Sequence, residues 1–295
     1  MTNDNWPILR FEEWQDTFAT LHMWTQVVGK IRLVQTPFVN HWWNVPLYVS
    51  ARGLTTSAMP YDDRIFEIEF DFIDHQLLIK CSDGAATELP LRPQSVAAFY
   101  AEVMSALRGL GMEIKIWTMP VEIPNPIRFE EDRTHASYDA EYANRFWRAL
   151  VRTDEVLKEF RSRFIGKSSP VHFFWGSFDM AVTRFSGRTA PERPGADLIT
   201  REAYSHEVIS HGFWPGNKDM QAAFYSYTSP EPEGLSQAMV RPAATFYSTE
   251  MKEFFLLYDD VRESESPEKA LMDFCQSTYE AGANLARWDR AALER

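Results

Sequence analysis

The stretch VHFFWGSFDMAVTRFSGR at 171–188 places one histidine, one aspartate and two arginines among five aromatic residues. Its residues alternate between two faces that both carry apolar side chains, so we predict a central strand that is buried on both faces. His172 and Arg184 are an even number of residues apart, so they are predicted to lie on the same face of this strand. Asp179 is an odd number of residues from both and is predicted to lie on the opposite face. Buried ionisable groups are costly unless they are paired. These three side chains therefore either satisfy nearby backbone groups or line a pocket, and both alternatives stay open.

Histidine and arginine accompany aromatic residues a second time, earlier in the chain. His41-Trp42-Trp43 is followed by Arg52, as His172-Phe173-Phe174 is followed by Arg184. Aromatic walls with a few convergent polar groups are typical of small-molecule sites. The predicted walls are Trp42, Trp43, Phe174 and Trp175, the polar contacts are His41, His172 and His206, and the anion anchors are Arg52 and Arg184.

Two histidines could act as a general acid–base if the protein is an enzyme. Histidine exchanges protons near neutral pH, and a neighbouring carboxylate can fix the orientation of its ring. His172 or His206 would take this role, with Asp179 or Glu207 as the orienting carboxylate. The sequence does not decide whether the protein is an enzyme.

The segment SHEVISH at 205–211 contains metal-ligand types at an unsuitable spacing. His206 and His211 are five residues apart, whereas the helical zinc-protease motif needs two histidines four apart. A looser zinc or iron site, joining His206 or Glu207 to His172 and Asp179 across neighbouring strands, is the alternative. Because no specific metal spacing is present, we predict that the protein uses no metal and no cofactor.

Composition excludes several classes of partner. The chain has 30 basic and 42 acidic residues, a formal charge of −12, and no basic patch. Such a chain repels phosphate backbones and anionic lipid, so we expect neither nucleic acid nor membrane as a partner. The first residues lack the basic and apolar regions of a signal peptide, and two cysteines are too few for a disulfide scaffold. These features predict a cytoplasmic protein.

The order of predicted elements repeats along the chain. Each half runs from a long helix through a Gly-Lys pair (Gly29-Lys30 and Gly166-Lys167) to strands and then to a helix that begins near a proline. We predict an internal duplication, although the low residue identity between the halves leaves chance similarity as an alternative.

The predicted fold is α+β, with two similar sheet-plus-helix halves in which long helices cover one face of an antiparallel sheet. The halves are 1–118 and 138–295, joined by a Pro-rich linker at 119–137, and the duplication predicts that 10–118 superposes on 138–288. The two sheets could join, or they could pack face to face around a shared cavity.

Several long motifs resemble those of one known family. They are WTQVVGKIRL, NHWWNVPLYVSARGL, EFDFIDH, LRPQSVAAFY, GKSSPVHFFWGSFDMAVTRFSGR, REAYSHEV and GFWPG. They identify the chain as similar to a bacterial family catalogued as a domain of unknown function, family 5996, from Trp6 to the C-terminal WDRAALER. The resemblance implies a bacterial, cytoplasmic protein and brings no catalytic residues with it.

Two functions of different classes fit these observations. The first is a cytoplasmic protein that binds a small organic anion in an aromatic-lined pocket and, if it is an enzyme, acts on that molecule through its histidines. The second is a non-catalytic interaction or scaffold protein whose aromatic residues form its core and whose acidic surface meets a basic partner. The sequence identifies no particular protein partner.

Overall fold

A computed structural model describes residues 5–295 of the protein. These residues form seven α-helices and twelve strands. The helices are α1 (Phe11–Gln35), α2 (Val96–Gly109), α3 (Ala140–Ser162), α4 (Leu198–Ala203), α5 (Tyr258–Arg262), α6 (Pro267–Leu285) and α7 (Arg290–Leu293). None of the helices in this part of the chain is long and apolar enough to cross a membrane.

The first sheet is antiparallel and follows the chain closely. Its strands are β1 (Tyr48–Val49), β2 (Gly53–Thr55), β3 (Met59–Tyr61), β4 (Arg64–Asp71), β5 (Gln76–Cys81) and β6 (Ala86–Pro90). The order is β1-β2-β4-β5-β6, and β3 pairs with β4 beyond β2. The alternation along β4 buries Phe66, Ile68 and Phe70 completely or almost so. Such alternation is expected of a strand with one face in the core.

The second sheet is also antiparallel. Its strands are β7 (His172–Phe174), β8 (Asp179–Thr189), β9 (His206–Trp214), β10 (Ala223–Ser229), β11 (Phe246–Ser248) and β12 (Glu253–Leu257). Their order is β7-β8-β9-β10-β12-β11. Helices α3 and α6 pack against each other and against one face of this sheet. The predicted α+β class, with long helices on antiparallel sheets, is therefore confirmed.

The two sheets meet edge to edge. Leu47, just before β1, and Phe173 in β7 exchange two backbone hydrogen bonds of 2.9 Å each in an antiparallel bridge. Both side chains are buried. The structure thus follows the first of the two predicted arrangements, in which the halves join their sheets.

The stretch 171–188 is a hairpin rather than the single central strand that we predicted. β7 and β8 pair with each other, and the chain reverses in between, with Phe178 in the left-handed region at a φ of 59°. Paired residues face the same side, and Phe174 pairs with Asp179 while His172 pairs with Ala181. Asp179 therefore shares the face of His172, and Arg184 lies on the opposite face. The predicted faces of Asp179 and Arg184, relative to His172, are therefore both wrong. The prediction counted residues along one strand, whereas the turn between β7 and β8 interrupts the alternation of side chains.

Most of the buried apolar residues form one continuous hydrophobic core and not a separate core in each half. One cluster of buried apolar side chains extends from Trp6 to Trp288. The segment 119–137 contains neither helix nor strand, yet Phe129 and Asp132 within it are buried. Residues up to 118 run from α1 through the first sheet to α2, and residues from 138 run from α3 through the second sheet to α5, α6 and α7. The division into halves at this segment and the internal duplication stay predictions.

Candidate functional site

The turn at 40–42 carries His41 in an unusual backbone conformation. His41 and Trp42 both have a φ of 60°, in the left-handed region that non-glycine residues rarely occupy. Such conformations cost about 1–3 kcal/mol each and persist where the surroundings enforce them. The N–H of His41 donates to the carboxylate of Glu202, 3.1 Å away, and α4 packs against this turn. The strain marks the turn as a candidate site.

His41 and Lys167 form a hydrogen-bonded pair. The Nζ of Lys167 lies 2.7 Å from Nε2 of His41, and Nδ1 of His41 lies 3.0 Å from the carbonyl oxygen of Glu202. A carbonyl can only accept, so Nδ1 carries the hydrogen and Nε2 accepts from the ammonium. Burial, reinforced by the charge of Lys167, lowers the pKa of His41. The imidazole is therefore neutral beside a cation.

The ammonium of Lys167 lies against two neighbouring aromatic rings, whose centroids are 5.8 Å apart. Its Nζ is 4.9 Å from the ring centroid of Phe185 and 5.2 Å from that of Trp43. The backbone of Lys167 accepts a hydrogen bond from the N–H of Phe185, which aligns the lysine beside β8. Burial lowers the pKa of Lys167, and Glu202 partly opposes the effect. Within residues 5–295 no carboxylate lies in ion-pair contact with this ammonium.

His206 approaches the same place from the start of β9. Its ring centroid is 5.6 Å from that of His41, and its Nδ1 is 3.0 Å from the hydroxyl of Ser205. The turn between α4 and β9 thus brings both Glu202 and His206 next to His41. Three nitrogen-bearing side chains from distant parts of the chain converge here, and we refer to Lys167, His41 and His206 as the lysine–histidine cluster.

His172 packs against Trp43, and within residues 5–295 it has no hydrogen-bond partner. Its ring centroid is 5.9 Å from that of Trp43 and 5.6 Å from that of Tyr48, and the residue is 1% exposed. Neither ring nitrogen is hydrogen-bonded. A buried polar atom without a partner costs about 1–3 kcal/mol. Burial and the charge of Arg32 lower the pKa of His172 to about 3, so the ring is neutral.

Asp179 belongs to a different group of side chains on the same face of the sheet. Its carboxylate accepts a hydrogen bond from the hydroxyl of Tyr225. Burial raises its pKa to about 7. Burial and the charge of Asp179 raise the pKa of Glu253 to about 7 as well. Asp179 therefore does not orient His172, and its charge acts on Glu253 instead.

The other predicted residues lie apart from the lysine–histidine cluster. Glu207 follows His206 in β9 and so points to the other face, where it pairs with Arg188 at 2.6 Å. Arg184 packs on the ring of Phe160 on the helix side. Arg52 pairs with Asp71 and Asp74 of the first half, at 2.5 Å each. Trp42 packs on Phe38, and Trp175 donates to the carbonyl of Val45.

Of the predicted residues, the structure thus brings together His41, Trp43, His172 and His206. Sequence reasoning missed Lys167 and Glu202 as members of this site. The Gly166-Lys167 pair is part of the repeated order of elements along the chain. That repeat indicates a duplication but says nothing about the chemistry of the lysine.

No metal site accompanies the cluster. In the part of the chain that the structure describes, no three histidine, cysteine, aspartate or glutamate side chains could hold a metal ion together. The looser alternative, which joins His206 or Glu207 to His172 and Asp179, is not assembled among these residues either. Two surface clefts of about 340 and 380 Å³ lie elsewhere and contain none of the predicted site residues.

Comparison with known proteins identifies a family but no activity. The model of a family described as a family of unknown function, DUF5996, matches residues 6–295. Because the match covers nearly the whole chain, the chain belongs to that family. No curated protein and no solved structure matches the chain.

Proposed function

We propose that this member of the DUF5996 family is a cytoplasmic protein that binds a small organic anion at the lysine–histidine cluster. The observation that carries the proposal is the ammonium of Lys167, 2.7 Å from His41 and without a carboxylate in contact within residues 5–295. An anion that reaches this ammonium gains a charge-assisted hydrogen bond, which is stronger than a neutral one. Lys167 thus takes the anchoring role that the sequence suggested for arginine.

The surroundings of Lys167 favour a ligand with a flat apolar body. The rings of Trp43 and Phe185 pack against each other, and both contact the ammonium. Sites of this kind combine aromatic walls with a few polar groups that fix orientation. An aromatic carboxylate or phosphate ester would place its anionic group on Lys167 and its ring against these walls. The ring N–H of His206 would add a second donor.

The same pair of side chains supports proton transfer if the bound molecule is a substrate. His41 is neutral, and its Nε2 faces the ammonium of Lys167. A lysine whose pKa is lowered by burial releases its proton more readily than an ordinary one. His41 and Lys167 therefore fit the acid–base role better than His172. The His172 ring is enclosed, and within the described residues neither of its nitrogens has a hydrogen-bond partner with which to exchange a proton.

The experiment is a thermal-shift comparison with benzoate and phenyl phosphate as probes. We expect at least one probe to raise the melting temperature of the wild type by a few degrees at about 100 times its Kd. Lys167→Met should abolish the shift because the charge is lost, while Lys167→Arg should keep part of it. Lys218→Met is the matched control, since Lys218 is an exposed lysine outside the cluster.

A shift of the same size in Lys167→Met as in the wild type would reject the site. If neither probe shifts the wild type, the anion proposal fails, and the alternative of an interaction protein with an acidic surface gains support. That alternative otherwise stays a prediction.

A further inference from the structure

Three polar residues follow one another at four-residue steps along the buried part of α1. They are His22, Gln26 and Lys30, and each is buried. His22 has its Nε2 2.8 Å from the carbonyl of Gly176, and the amide of Gln26 bonds to the backbone of Val121 in both directions at 2.9 Å. Lys30 continues the row without such a partner: within residues 5–295 its ammonium makes no hydrogen bond and no ion pair.

The ammonium of Lys30 instead lies near two indole rings. Its Nζ is 4.6 Å from the ring centroid of Trp117 and 5.9 Å from that of Trp175. Trp175 is a fixed wall, because its indole N–H donates to the carbonyl of Val45 at 2.8 Å and its ring fills the space that a side chain at Gly29 would need. Trp117 is 62% exposed and forms a wall on the solvent side.

This environment destabilises the ammonium, so Lys30 is in the neutral amine form more often than an ordinary lysine is. Lys30 is only 3% exposed, and burial lowers its pKa to about 8. Contact with an aromatic face returns about 0.5–2 kcal/mol to the cation, which does not replace the hydration it has lost. A buried lysine with a structural role normally finds a carboxylate or several carbonyl groups. Lys30 has neither, and desolvated lysines of this kind are the ones that act as nucleophiles.

We propose that Lys30 is a nucleophilic amine that forms an imine with a small aromatic or conjugated aldehyde held between Trp117 and Trp175. The flat aldehyde would contact the parts of the two indole rings that lie nearest the ammonium. This site is separate from the lysine–histidine cluster and does not depend on anion binding there.

The reaction needs no oxidant, reductant or metal. The nitrogen lone pair of Lys30 attacks the carbonyl carbon, and a C–N bond forms while the C=O π bond breaks and its oxygen takes up a proton. Loss of water, with the remaining N–H proton, then gives the C=N bond. One amine and one aldehyde are consumed, and one imine and one water are formed.

Reductive trapping tests this assignment on the full chain. The protein is treated with benzaldehyde and sodium cyanoborohydride near neutral pH, digested and mapped by mass spectrometry. We expect Lys30 to be alkylated at least about ten-fold faster than Lys218 and Lys252, because a pKa near 8 leaves far more neutral amine than an ordinary lysine has. The side chains of these two comparators are 82% and 70% exposed, so access alone would favour them.

Two further measurements make the result decisive. Lys30→Met should lose the label at that peptide and keep it at Lys218 and Lys252. In the wild type, acetylation of Lys30 by trace acetic anhydride should level off above a pH of about 8, as the amine becomes fully neutral. If Lys30 is alkylated no faster than the exposed lysines, or if its acetylation keeps rising up to about pH 10 as an ordinary lysine's would, Lys30 is a structural cation and the proposal is wrong.

Discussion

The guanidinium of Arg184 lies on the ring of Phe160, with its central carbon 3.5 Å from the ring centroid. It also donates to the carbonyl of Phe160 near the C-terminus of α3 and lies 4.3 Å from the ring of Tyr279. Aromatic faces and a helix C-terminus both stabilise a buried cation. Arg184 therefore holds α3 and α6 to the second sheet, on the face opposite His172.

We expect Arg184→Met to lower the free energy of unfolding by about 2 kcal/mol, because the lost contacts of a desolvated cation outweigh the relief of burying its charge. The denaturant midpoint measures this loss. Any thermal shift caused by benzoate or phenyl phosphate should persist. Arg188→Met, at an exposed position of the same strand, is the control. A variant that keeps its midpoint but no longer responds to the probes would assign Arg184 to the binding site.

Asp179→Asn should make the protein more stable, and the gain should be clearly larger at pH 8 than at pH 5. Burial raises the pKa of Asp179 to about 7 in the folded protein, against about 3.9 when unfolded. The folded state thus binds more protons between these values, and the free energy of unfolding falls as pH rises through this window. Asparagine still accepts from Tyr225 but never becomes charged.

The measurement is the difference in melting temperature between Asp179→Asn and the wild type from pH 5 to 8. Buried histidines such as His22 and His172 titrate in both proteins, so their opposite effect cancels in the difference. Glu253→Gln should behave likewise, and the double variant should gain less than the sum because each charge disfavours the other. A difference that does not vary with pH would contradict the raised pKa.

Gly212→Ala should cost at least about 2 kcal/mol of stability, because the new methyl group has no room. It would lie 2.4 Å from the carbonyl oxygen of Met180 and 2.3 Å from the ring of Tyr225, which crosses β9 at this glycine to reach Asp179. Gly109→Ala at the end of α2 is the matched control: nothing lies within 4 Å of the added carbon. Equal denaturant midpoints for the two variants would show that Tyr225 does not depend on the glycine.

Prolonged dialysis against a chelator should leave the melting temperature unchanged. The described residues contain no group of three ligands that could hold a metal ion, and a protein without a bound metal gains no stability from one. A fall of several degrees that zinc or iron restores would overturn this prediction. The ligands would then be sought first among His172, Asp179, His206 and Glu207.

Local patterns in the sequence predicted the elements better than the contacts between them. In β4 the apolar residues Phe66, Ile68 and Phe70 alternate with polar ones in the sequence, and they share the buried face, because that alternation is set within one strand. The turn between β7 and β8 escaped notice because Trp175 and Phe178 stand where turns usually carry small polar residues. That single error reversed the predicted sides of Arg184 and Asp179.

The lysine–histidine cluster could not be derived from local patterns. His41 and Lys167 are 126 residues apart, and their contact depends on how the two sheets meet. The sequence did single out His41, Trp43, His172 and His206 as residue types suited to a site, but it had no means of choosing them over Arg52 or Glu207. In the structure Arg52 forms an ion pair with Asp71, and Glu207 forms one with Arg188, both away from the lysine–histidine cluster.

The bridge between Leu47 and Phe173 gives each half an edge that fits the other. An open strand edge offers unpaired N–H and C=O groups and seeks a partner. A chain cut at the exposed Asn125 would therefore yield two fragments with complementary edges and a shared apolar surface. Produced together, the fragments should reassemble and co-purify, which makes this fold a candidate for a split-protein reporter.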